Sequence, residues 1–108
     1  MKKMLFIMNP FAGVKRANRH LADILLTFTQ AGYEVITHMT LGRGDATAVA
    51  RKLWKDGVGC IELCGAFGAD GAKKIIDATQ NQIPVGYVTH LPEQEAVYQA
   101  AFPDDLSR

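Results

Sequence analysis

The chain has little of what staples, stiffens or targets a protein. Its only cysteines, Cys60 and Cys64, lie four apart in one apolar run of the 108 residues, which suits neither a disulfide framework nor a four-ligand zinc site. A reducing, cytoplasmic setting is the expectation. Only four prolines are present, with no low-complexity stretch or repeat, so there is no linker and a single domain over residues 1–108 is expected, its tail at 103–108 frayed. Acids and bases are interspersed and nearly cancel, at +1, so no field gathers nucleic acid or an anionic membrane, and neither is expected as a partner. No apolar run could span a bilayer. The basic-then-apolar start, Lys2-Lys3-Met4-Leu5-Phe6-Ile7-Met8, meets Asn9-Pro10 too soon for a leader and reads as a buried strand. Also missing are the Gly-Lys-Ser/Thr ending of a Walker loop and the G-x-G-x-x-G spacing of a dinucleotide fold.

What remains is apolar residues, 48% of the chain, punctuated by ten glycines. Residues 4–8 form a continuous apolar run that reads as a strand buried on both faces. Over residues 15–31, Leu21, Ile24, Leu25 and Phe28 recur at helical spacing, and Gly32 provides a left-handed stop. Residues 33–39 are β-branched and half-alternating, and Asp45 is placed to cap a second helix whose inner face is Val49, Ala50 and Leu53. A third strand is expected over 58–64, then an irregular glycine-rich loop over 65–71, a helix to residue 80 with Ile75 and Ile76 inward, and a fourth strand over 84–89. Pro92 suits the first turn of a last helix. Strand and helix alternate four times, with connections too long for hairpins, which predicts an α/β domain: a four-stranded parallel sheet flanked by helices, Rossmann-like or flavodoxin-like.

In such a sheet, ligands are held where strands end and helices begin. The loop over 9–13 leads into Lys15-Arg16 and offers backbone N–H groups and cations to a phosphate, or is an ordinary Asn-Pro turn. Thr40, Gly42, Arg43 and Gly44 form a second candidate, or a capped turn with a solvated arginine. Cys64-Gly65-Ala66-Phe67-Gly68-Ala69-Asp70-Gly71 has three glycines ahead of a helix and invites close approach of backbone to a ligand. Cys64 at that helix start, with Glu62 on its side of the strand and His90 ending the next strand, could form a nucleophile with its base, unless Cys64 is a buried filler. Glu62 must reach the sheet edge or find donors. Trp54 and Tyr98 read as core or dimer contacts. Ala96, Val97, Ala100, Ala101 and Phe102 make an apolar strip that predicts a homodimer.

Asn9-Pro10-Phe11-Ala12-Gly13, the helix to Ala31-Gly32-Tyr33-Glu34-Val35, and Thr40-Leu41-Gly42-Arg43-Gly44-Asp45-Ala46-Thr47 resemble the amino-terminal segment of bacterial diacylglycerol kinase-type lipid kinases, over residues 1–50. The resemblance implies ATP or ADP contacts at Asn9, Pro10, Gly13 and Thr40. It departs where the family has Gly-Gly-Asp-Gly-Thr for the phosphates and this chain has Gly65-Ala66-Phe67-Gly68-Ala69, and the family's β-rich second domain lies outside these residues. Residues 51–102, with Glu62-Leu63-Cys64-Gly65-Ala66-Phe67-Gly68, resemble instead a group of short uncharacterised bacterial proteins, which suggests a recombined chain, natural or engineered. Phosphoryl transfer depends on the missing parts. The expectation is a non-catalytic domain that binds a small phosphate-bearing ligand weakly, using Asn9, Pro10, Gly13, Thr40, Gly65 and Gly68. The alternatives are a cysteine-dependent enzyme and a structural homodimer.

Overall fold

In the computed structural model, residues 2–9, 21–64, 67–87 and 91–101 are described. β1 (Lys2–Met8), α1 (Leu21–Gln30), β2 (Tyr33–Met39), α2 (Asp45–Lys55), β3 (Cys60–Leu63), α3 (Gly68–Ala78), β4 (Val85–Tyr87) and α4 (Glu95–Ala101) follow in that order. The strands form one sheet of order β2-β1-β3-β4, every pair parallel. The flanked parallel sheet read from the alternation of strands and helices is the one observed.

Being central, β1 is buried from Met4 to Met8 on both faces, as its unbroken apolar run requires. Leu5 and Ile7 look to one side, where Ile61 and Leu63 of β3, Ala50 of α2, and Ala72 and Ile75 of α3 complete the larger core. Phe6 and Met8 look to the other, with Cys64 and the inner face of α1: Leu21, Ile24, Leu25 and Phe28. The Phe6 and Phe28 rings meet edge to face at 5.8 Å, a favoured aromatic geometry. Phe67 packs against both clusters across the end of the sheet.

Four local expectations need correction. The glycine-rich stretch is regular in its second half, where Gly68–Ala78 is helix. Gly68 takes φ +62° at the helix entry, and a Cβ at Gly71 would come within 3.0 Å of the Phe67 Cβ. These glycines therefore start α3 and make room for Phe67. Asp45 does not cap α2. Gly44, left-handed at φ 82°, is the cap residue and makes no side-chain cap bond. Pro92 opens a 3₁₀ turn, Pro92–Gln94, ahead of α4 rather than the first turn of α4. β3 is also shorter than the apolar run around it, and the end of the expected fourth strand, at 88–89, lies outside the described residues.

Candidate functional site

Strand order reverses at β1: its chain leaves towards β2 on one side, while β3 lies on the other. In open parallel sheets such a reversal point is where the ligand crevice lies. Thr40 N–H donates to the Met8 carbonyl at 2.8 Å, extending the β1–β2 ladder one step. Across β1, Cys64 N–H donates to the Ile7 carbonyl at 3.0 Å, and Asn9 N–H donates to the Cys64 Sγ at 3.4 Å. These bonds fix the three strand exits side by side.

Beyond them opens a cleft of about 740 Å³, walled by Asn9, residues 40–44, the first turn of α2, and the Phe67, Asp70, Gly71, Lys74 and Ile75 face of α3. It brings together two cations, Arg43 and Lys74, with the hydroxyls of Thr40 and Thr47 and one carboxylate, Asp70. Among the described residues, the N–H groups of Ala46 and Thr47 in the first turn of α2 meet no protein acceptor. A helix start with open donors is locally positive.

Asp45 lies at this corner but turns back from the helix. Its Oδ2 accepts the Leu41 N–H at 2.8 Å and lies 2.8 Å from His38 Nε2. The His38 bond, and then the Leu41 amide, hold the Asp45 carboxyl below the usual carboxylate range.

Of the expected site residues, Asn9 and Thr40 line the cleft. Gly68 does not line it; it sets the entry to α3 beside it. Pro10, Gly13, Gly65 and His90 lie outside the described residues. Cys64 is buried in the α1-side cluster, and Glu62, two residues away, points to that same side of the sheet, facing away from the core of α2 and α3. Both oxygens of the Glu62 carboxylate lie against Gly86, where a Cβ would be 2.5 and 2.7 Å from them. Burial pushes the Glu62 carboxyl up. Burial, and then the charge of Glu62, push the Cys60 thiol up, with Lys2 acting the other way. Asp70 falls in the expected glycine-rich loop, whereas Lys74 and Thr47 were missed as candidates. For Lys74 the signal is helical spacing, since residues 67, 70, 71 and 74 share one face at the start of α3, and for Thr47 it is its place in the first turn of α2.

Among the described residues, no group of three or more His, Cys, Asp or Glu could hold a metal ion, and no helix is long and apolar enough to cross a membrane.

An open parallel sheet with its crevice at the point where strand order reverses defines a doubly wound α/β domain. The chain belongs to DUF6506, a family of unknown function, whose pattern matches residues 15–103. It is also similar to a diacylglycerol kinase of Bacillus subtilis (strain 168), at 41% identity over 71 residues, 66% of this chain and 22% of the kinase. The chain thus spans under a quarter of that relative's length. The two matched stretches together exceed the length of the chain, so both likenesses fall in part on the same residues.

Proposed function

We propose that this lipid-kinase-related domain binds a small phosphate-bearing ligand, with ATP or ADP the first candidates, in the cleft beyond β1 and β2, and that it does so without turnover. The observation that carries the reading is the convergence of Arg43, Lys74, Thr40 and the open N–H groups at the start of α2 on one cleft. Cations and backbone donors together make an anion seat, and the field of a helix start adds to it. The apolar part of the wall, from Leu41, Ala46, Phe67 and Ile75, suits the uncharged portion of such a ligand. Similarity to a diacylglycerol kinase supports the same class of ligand. Because both cations are exposed, weak affinity is the expectation.

Isothermal calorimetry with ADP and ATP, each with and without Mg²⁺, tests this. Saturable heat that is reduced in an Arg43→Ala, Lys74→Ala double variant is expected. No heat at millimolar nucleotide in any arm overturns the reading.

We also propose self-association through the last helix. Leu91, just ahead of the 3₁₀ turn, is 64% and Val97 of α4 57% exposed, and large apolar side chains left in solvent favour a partner surface. Sedimentation velocity should show a mass that rises with concentration, and a constant monomer mass would refute it.

A further inference from the structure

Asp45 is the first residue of α2, a position where a carboxylate ordinarily serves the helix's own amides. Its bonds go elsewhere. Oδ2 takes the Leu41 N–H, from the loop, and faces His38 Nε2, near the end of β2, each at 2.8 Å. One carboxylate thus ties strand, loop and helix together. The loop between them needs a tie, since Gly42 and Gly44 put few limits on its backbone and Gly44 is left-handed. Its other fastenings are Thr40 N–H to the Met8 carbonyl at 2.8 Å, Asp45 N–H to the Gly42 carbonyl at a longer 3.3 Å, and two bonds to the Gly44 carbonyl, from the Thr47 hydroxyl at 3.0 Å and the Ala48 N–H at 3.2 Å. Gly44 and Ala46 both face the cleft, while Asp45 between them does not.

We propose that Asp45 is a positioning residue of the cleft: by holding Leu41 and His38 it fixes the loop that presents Thr40 and Arg43 to the phosphate, without touching the ligand. This rests on the phosphate-binding reading above. The carboxylate is ionised throughout the neutral range, its proton affinity lowered by the bonds it accepts, so the tie is charge-assisted.

The test compares wild type, Asp45→Ala and Asp45→Asn by ¹H–¹⁵N NMR titration with ADP and with inorganic phosphate, and measures exchange of the Leu41 amide without ligand. Loss of a bond to a charged acceptor should weaken ADP binding in Asp45→Ala by roughly tenfold and speed Leu41 exchange. Asp45→Asn, whose Oδ1 can still accept the Leu41 N–H, should recover to within about threefold of wild type. A merely structural role would lower thermal stability without this rescue of affinity. Asp45→Ser gives a second truncation should the alanine variant fold poorly, and should bind as weakly. Unchanged affinity in the truncations, or Asp45→Asn as impaired as they are, overturns the proposal and leaves the phosphate-binding reading standing. A wild type that binds neither ADP nor phosphate overturns that reading, and the role of Asp45 with it.

Discussion

Two carboxylates with displaced titrations have opposite effects on stability. Asp45 is favoured in its charged form by His38 and Leu41, so its contribution is present above the ordinary aspartate value and is lost as pH falls through its lowered value. Glu62 is raised by burial. The folded chain holds that proton more tightly than the unfolded chain, so stability falls as pH rises from the ordinary glutamate value through the raised one. Glu62→Gln should therefore stabilise at pH 7, by less than about 1 kcal/mol because water screens the group, and thermal melts at pH 4 and pH 7 should show the gain only at the higher pH. Gly86→Ala probes the same contact. The new Cβ meets only the mobile end of Glu62, so the cost should stay under about 1 kcal/mol while the carboxyl swings out and its pKa falls back, as carboxyl NMR would read. A large loss of stability would show that Glu62 is fixed in place. The sequence marked Glu62 as a charge needing an exit or donors, and the exit it found was the missing side chain of Gly86.

Elements were legible where one signal dominated. β2 has the bounds its β-branched alternation predicts, residues 33–39, and α2 buries the Val49, Ala50 and Leu53 stripe. The start of α3 was not legible, since three glycines before a helix read as irregular chain. Gly68 instead supplies a left-handed entry, with open space at its Cβ position. Gly68→Val should thus cost about 1–3 kcal/mol through backbone strain alone. Chemical denaturation measures it, and an unchanged midpoint would show that the entry can relax. At the other end of α3, Gln80 and Asn81 are both left-handed, at φ 55° and 54°. Asn81→Gly should be neutral or stabilising by up to about 1 kcal/mol, because the native conformation suits glycine better than asparagine. A clear loss of stability would instead assign the Asn81 side chain a role in the turn.

For the whole molecule, the sequence carried the topology because parallel connections with right-handed crossovers leave few arrangements, and β1 at the reversal point placed the cleft. It carried only part of the cleft's lining: Asn9 and Thr40 follow strands directly, whereas Lys74 and Asp70 lie on a helix face whose spacing any amphipathic helix shares. The reading of the whole molecule turns on the crevice between β2 and β3, walled by the starts of α2 and α3, as the proposed phosphate site. The most direct measurement is ¹H–¹⁵N chemical-shift mapping with ADP on the assigned wild-type chain. Saturable shifts concentrated in the amides of residues 40–47 and 67–75 are expected, with the Ala46 and Thr47 amides among the largest. Shifts confined to the α1 side of the sheet, or none at millimolar ADP, would contradict it.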